Sequence, residues 1–225
     1  MRIKLFLLAA FFIGFFTYFS YLVAKERWQQ IDFDTTVKLQ DHVSRKFDVI
    51  FSYFSLLGSA EITLGFCLIL SALAFFKGKW LAILGWLMII PASAAEVFGK
   101  LVLFHPAPPA FLHRTLLPTN LPSFYIHTDF SYPSGHMTRT IFVITVLICM
   151  IIFSSKNFLF RLTIFGCLSS LAILMGLTRV YLGEHWLSDV FGGTLLGAGV
   201  GFFASGLILQ KQKVKIAQDA QGGEL

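Results

Sequence analysis

Residues 132–153 read YPSGHMTRTIFVITVLICMIIF, a short polar motif that runs directly into an apolar stretch with no charge after Arg139. A predominantly apolar run of about 20 residues, rising 1.5 Å per residue, crosses a hydrocarbon core of ~30 Å. Met137 to Phe153 is one such run, and it carries Tyr132-Pro133-Ser134-Gly135-His136 at its mouth. Working outward, the same reading gives spans from about Leu5 to Val23, Val49 to Phe76, Trp80 to Phe104, Phe158 to Tyr181 and Trp186 to Leu209. The predicted fold is all-α, a polytopic bundle of six transmembrane helices forming one domain over residues 1–225 without repeats.

Composition supports this reading. Charged residues make up only 13% of the chain, against 56% hydrophobic residues and 26 Phe, so its apolar surface is too large for one water-soluble core. The start Met1-Arg2-Ile3-Lys4 followed by apolar residues could open a signal peptide. The stretch is too long and aromatic for one, and Leu22-Val23-Ala24 is a poor cleavage site, so it is taken as the first span. Cys67, Cys149 and Cys167 all fall in apolar spans without CxxC or His-interleaved spacing and read as small core residues.

Basic residues retained near helix ends orient such bundles. Lys77 and Lys79 crowd one short turn, Lys156 and Arg161 the next turn of the same parity, with Arg2, Lys4 and Lys211, Lys213 and Lys215 on that side too. Both termini are therefore expected in the cytoplasm, with residues 211–225 as a disordered tail meeting lipid headgroups. The net charge of +6 fits anionic headgroups and a phosphate ligand. No basic stripe with interleaved stacking aromatics points to nucleic acid.

Alternating the spans puts four polar groups at one membrane face. Lys100 ends the third span, Ser134-Gly135-His136 opens the fourth, Arg179 ends the fifth, and His185 and Asp189 open the sixth. His185 and Asp189 are four apart and share a helix face, so a carboxylate accepting the Nδ1 proton leaves Nε2 free as a nucleophile or base. Gly135 leaves room for an oxyanion, while Ser134 and the first N–H groups of the fourth helix form an anion seat. His136 lies beside the bound group, placed to protonate a leaving alkoxide. Lys100 and Arg179 would neutralise non-bridging oxygens, Arg179 by a two-pronged fork.

These residues resemble the type 2 phosphatidic acid phosphatase family, which shares its site architecture with vanadium haloperoxidases. Its signatures are K-x6-RP, PSGH and SR-x5-H-x3-D. The second is complete at Pro133 to His136, and the third is kept at Thr178-Arg179, His185 and Asp189 with Thr for Ser. The first is damaged: Lys100 and Pro108 are in register, but Ala107 stands at the Arg position, with His105-Pro106 before it. The resemblance covers about residues 100–201 in detail and the six-helix layout more loosely. It implies metal-independent, cofactor-free hydrolysis of a lipid phosphate through a phosphohistidine on His185. Asp189 would orient that ring, His136 would serve as acid and then base, and Lys100, Ser134, Gly135 and Arg179 would bind phosphate. Two arginines are candidates for the lost charge: Arg139, one turn after His136, and Arg114 in the preceding segment.

Other polar residues have plainer readings. His42, His105, His113 and His127 read as interfacial, and Arg139 by default as a snorkelling arginine. Glu96, four residues before Lys100, reads as the partner that orients it. Glu61 faces the bundle interior or lies near a helix end. Gly192-Gly193, Gly197, Gly199 and Gly201 allow close helix approach, either within the bundle or at a homodimer seam, so monomer and dimer both stay open.

The leading expectation is a lipid phosphatase of the plasma membrane with its site on the outer or periplasmic face. Its substrate would be an isoprenyl diphosphate, a phosphatidylglycerophosphate or phosphatidic acid. The alternatives are a head-group phosphotransferase with the same His/His/Asp set, and a non-catalytic lipid-phosphate binder. A soluble vanadate peroxidase does not fit so apolar a chain.

Overall fold

The computed structural model describes residues 2–117, 130–154 and 157–209. Among them, six helical stretches are long and apolar enough to cross a bilayer: Arg2–Ala24, Arg45–Phe76, Trp80–Val102, Gly135–Ser154, Phe158–Tyr181 and Leu187–Ile208. They fall on the six predicted spans, and the chain is an all-α integral membrane protein. His127 and the tail from Lys211 to Leu225 lie outside the described residues.

Two spans are interrupted where the sequence suggested continuous helices. The second consists of α3 (Asp48–Ser55), a 3-10 turn at Leu56–Gly58 and α4 (Ala60–Phe76). Ser59 restarts the helix there, its extended backbone and side-chain oxygen accepting from Ile62 N–H. The third consists of α5 (Trp80–Leu87) and α6 (Ile89–Val102). Pro91 has no N–H to offer the Leu87 carbonyl four residues earlier, which accounts for the break. The remaining spans are single helices: α1 (Arg2–Ala24), α7 (Gly135–Ser154), α8 (Phe158–Tyr181) and α9 (Leu187–Ile208).

The polar connection after α1 is not an open loop. Residues Gln29–His42 form α2, which buries Asp32, Thr36 and Gln40 at a four-residue spacing. Those side chains reach the ends of the spanning helices, since Gln40 Nε2 donates to the carbonyls of Leu112 and Tyr181 at 2.7 and 2.8 Å. The helix therefore caps one face of the bundle.

At the centre is α9, which packs along α7 on one side and α1 on the other. Of its most apolar window 61% is buried, against 6% for α8, which turns most of its surface outward. Small residues permit the close approach: a Cβ on Gly193 would come 2.4 Å from the Ser134 carbonyl oxygen, and one on Gly197 equally close to that of Thr138. Gly199 faces Ile13 of α1 in the same way, so the glycine stripe is used inside the bundle. Cys67, Trp86, Ile89, Phe142, Val146 and Ala204 form one buried cluster joining α4, α5, α6, α7 and α9. Cys67 and Cys149 are core residues as expected, but Cys167 on α8 is exposed because that helix face has no protein neighbour to cover it. Glu61 sits in the first turn of α4, at a helix end.

Candidate active site

The chain turns sharply between α8 and α9. The Arg179 carbonyl accepts from the N–H groups of Glu184 and His185 at 3.2 and 3.3 Å. Gly183 adopts φ +66°, and a Cβ there would strike the Leu112 carbonyl at 2.2 Å, so glycine is required on both counts. This turn carries His185 from the end of one helix to the start of the next. Asp189, in the first turn of α9, accepts from Trp186 N–H through Oδ2 at 2.9 Å, which anchors the helix start. The same Oδ2 is 3.3 Å from His185 Nδ1, the predicted pairing that leaves Nε2 facing outward.

The PSGH motif is tied to that turn by its backbone, as Ser134 N–H donates to the Asp189 carbonyl at 3.0 Å. Thr138 holds the Ser134 carbonyl through both its N–H and its hydroxyl, at 3.0 and 2.9 Å. Gly135 opens α7, and a Cβ there would lie 2.5–2.6 Å from all three carboxyl atoms of Glu96. Half-buried His136 follows, backed by the turn in the second span: a Cβ on Gly58 would come 3.0 Å from His136 Cδ2.

Three cations converge on the two imidazoles. Lys100, Arg139 and Arg179 all lie close enough to act electrostatically on both His136 and His185. Glu96 links two of them, its Oε1 2.7 Å from Lys100 Nζ and its Oε2 2.8 Å from Arg139 Nη1. All three side chains are at least nine-tenths buried, so Arg139 is turned inward and does not snorkel. Arg179 donates to Ser55 Oγ at 2.7 Å and pairs with Glu184, which in turn accepts from Thr115 Oγ1. Burial first, then the charges of Arg179 and Lys100, hold His185 well below its ordinary value of 6.5. Its ring is neutral at physiological pH.

The sequence-predicted residues Lys100, Ser134, Gly135, His136, Arg179, His185 and Asp189 thus occupy one end of the bundle, with Glu96 and Arg139 among them. Arg114 makes other contacts: its guanidinium packs over the Tyr181 ring at 5.1 Å and donates to the Tyr181 hydroxyl and the Val43 carbonyl. Among the described residues, no group of three or more His, Cys, Asp or Glu is arranged to hold a metal ion.

Sequence reasoning missed one layer. His105 is not interfacial: it is 6% exposed, with Nε2 3.3 Å from Ser188 Oγ and 3.6 Å from Asp189 Oδ1. The segment after α6 folds back over α9, the Pro106 carbonyl accepting from Trp186 Nε1 at 2.8 Å, and this buries the ring. Asp32 on α2 accepts from Ser188 N–H and hydroxyl at 2.8 and 2.7 Å, and its burial raises it from 3.8 to about 6. The available signal was the spacing of Asp32, Thr36 and Gln40 on one helix face. Ser55 and Gly58 were hidden inside a run read as continuous helix.

Known proteins resemble this chain in sequence and in fold. The sequence model of the PAP2 superfamily matches residues 80–213. An undecaprenyl-diphosphatase of Sulfolobus acidocaldarius is 33% identical over 124 residues, covering 54% of this chain and 53% of that protein. Phosphatidylglycerophosphatase B of Bacillus subtilis is 34% identical over 83 residues, 35% of this chain and 39% of that protein. The matched segments thus span about half or less of these relatives. The crystal structure of a transmembrane PAP2 type phosphatidylglycerolphosphate phosphatase from Bacillus subtilis superposes with a TM-score of 0.72 at 20% identity, covering 92% of this chain and 99% of that one. Aquifex aeolicus LpxE superposes at 0.56 with 24% identity, covering 77% and 94%. These two likenesses are of fold. With the family match extending over more than half of the sequence and containing Lys100, PSGH, Arg179, His185 and Asp189, this chain belongs to the PAP2 superfamily.

Proposed function

We propose that the chain is a lipid phosphatase that cleaves a lipid phosphate or diphosphate without a metal, through a phosphohistidine on His185. The observation that carries this reading is the pairing of His185 Nδ1 with Asp189 at 3.3 Å beside three buried or partnered cations at the mouth of the bundle. A neutral ring presents a lone pair at Nε2 to phosphorus. A bond forms from Nε2 to phosphorus as the phosphorus–oxygen bond to the lipid breaks, and His136 gives its proton to the departing oxygen. Water then attacks the phosphohistidine, His136 takes the water proton, and the nitrogen–phosphorus bond breaks to free phosphate.

Lys100, Arg179, Ser134 and the N–H groups at the start of α7 hold the non-bridging oxygens. Arg139 takes over the charge absent at Ala107: Glu96 couples it to Lys100 and fixes both heads beside Gly135. Candidate substrates are undecaprenyl diphosphate, phosphatidylglycerophosphate and phosphatidic acid, the first two matching what the relatives are named for. The membrane is the plasma membrane, with the site at the outer or periplasmic face and both termini cytoplasmic.

The test is phosphate release by detergent-purified protein, with EDTA present, from those three lipids beside a His185→Ala control. Release that the control abolishes is expected. No release from any lipid by folded protein would overturn the hydrolase reading in favour of a transferase or a lipid-phosphate binder.

A further inference from the structure

Behind the His185–Asp189 pair lies a second buried polar cluster that the hydrolytic scheme does not use. It joins Asp32 of α2, His105 after α6 and Ser188 at the start of α9, respectively 1%, 6% and 0% exposed. Asp32 falls outside the family-matched residues 80–213, so the match assigns it nothing.

The hydrogen bonds of this cluster have a direction. An ionised carboxylate can only accept. Ser188 N–H therefore donates to Asp32 Oδ1 at 2.8 Å, and the Ser188 hydroxyl spends its one proton on Oδ2 at 2.7 Å. The contact of 3.3 Å between Ser188 Oγ and His105 Nε2 must then be donation by the imidazole, which fixes the Nε2–H tautomer. That N–H also faces two carboxylate oxygens, Asp189 Oδ1 at 3.6 Å and Asp32 Oδ2 at 3.7 Å, and the buried Ser131 hydroxyl lies beside the same Asp189 carboxylate. The other Asp189 oxygen serves Trp186 N–H and His185 Nδ1. A buried carboxylate oxygen left without a donor is costly, and the oriented His105 N–H at 3.6 Å, with the Ser131 hydroxyl, is placed to answer it.

We propose that Asp32, acting through Ser188, holds His105 as a donor to Asp189, so that the three are positioning residues that fix the carboxylate on which His185 is oriented. This rests on the reading of His185 as nucleophile. The chain of dependence predicts an unusual result for Asp32→Asn, which keeps the shape of the side chain. Its amide oxygen can still accept from Ser188 N–H, but its NH2 then donates to Ser188 Oγ. The displaced hydroxyl proton turns toward His105 Nε2, the ring becomes the Nδ1–H tautomer, and a lone pair points at Asp189. The polarity of the cluster is reversed without a cavity.

The experiment uses the full chain in detergent, with wild type, Asp32→Asn, His105→Ala and His105→Gln, and thermal unfolding as the check on folding. Three quantities are read: kcat and KM for phosphate release from the best of the three lipids, and the His185 ring tautomer from 15N-histidine spectra assigned with His185→Ala. Asp32→Asn and His105→Ala should each lower kcat roughly 10- to 100-fold, the loss of a hydrogen bond to a charged group, with KM within about twofold. His105→Gln, whose amide N–H can donate, should recover most of the loss. The His185 signal should move from a single Nδ1–H form to a mixture in the two damaged variants. Wild-type kcat with an unchanged His185 tautomer in Asp32→Asn would overturn the proposal, and that variant decides the matter even if His105→Ala fails to fold. A wild type that releases no phosphate would sink the hydrolase reading instead, and the tautomer shift would then decide this proposal by itself.

Discussion

Gly135→Ala tests how the proposed phosphate seat is built. The added Cβ would lie 2.5 Å from Glu96 Cδ and Oε1 and 2.6 Å from Oε2. Ordinary carbon contacts are about 3.5 Å or more, so the carboxylate must recoil by roughly 1 Å. A free glutamate would do so at little cost, but this one is pinned at 2.7 Å to Lys100 and 2.8 Å to Arg139. A shift of that size stretches both ion pairs past hydrogen-bond range. Hydrogen bonds to charged groups are worth about 1.5–3 kcal/mol each, so losing one to two of them lowers kcat/KM by roughly 10- to 10,000-fold. The assay is phosphate release from the best lipid substrate by wild type, Gly135→Ala, Glu96→Ala and the double variant. If the methyl acts through Glu96, Gly135→Ala costs little more once Glu96 is gone, a coupling of about 1.5–6 kcal/mol. Equal cost in both backgrounds would refute this reasoning, since the methyl would then be blocking the phosphoryl group itself. A Gly135→Ala enzyme within about twofold of wild type would refute the whole account of the seat.

Arg139→Gln should raise KM roughly 10-fold or more and weaken inhibition by inorganic phosphate, because a charged contact to a buried oxyanion is lost. Arg114→Gln should lower the thermal midpoint with little change in KM, as its partners are Tyr181 and the Val43 carbonyl; the reverse pattern would exchange their roles. Burial and then Arg179 depress His185 below 6.5, so the proposed nucleophile stays neutral as the pH falls below that value. Arg179→Gln removes one of those causes, and the acid limb of kcat/KM should move upward in pH; an unmoved limb would separate Arg179 from His185. Gly193→Ala and Gly197→Ala put a methyl 2.4 Å from the backbone oxygens of Ser134 and Thr138, atoms that cannot rotate aside. Each should cost about 1–3 kcal/mol by forcing the helices apart, read as a lower thermal midpoint. Gly14→Ala and Gly65→Ala, with nothing within 4 Å, should leave that midpoint unchanged.

How much of this was legible in the sequence follows from which forces leave a local trace. The bilayer demands a fixed length of apolar helix, and that demand marks every span. Phosphate chemistry needs groups at set distances, and where one turn supplies two of them the spacing is written into the chain, as in Ser134-Gly135-His136 and His185 to Asp189. The breaks at Gly58 and Pro91 did not register because the runs stay apolar through them, and hydropathy reports the solvent around a helix, not its continuity. His105 looked like an interfacial histidine because its neighbours Phe104 and Pro106 say nothing of the helix start that covers it. Asp32 is 156 positions from Ser188, in the polar connection between two predicted spans. Polarity was itself the sign that α2 had something to meet. A helix beside a membrane that buries Asp32, Thr36 and Gln40 gains nothing from the hydrophobic effect on that face. Burying them is favourable only against partners that satisfy them, and those partners are the Leu112 and Tyr181 carbonyls and the first turn of α9. The same desolvation that makes such groups costly aligns them once they are paired. The layer hardest to read from sequence is therefore the one placed to hold Asp189, and through it His185, still.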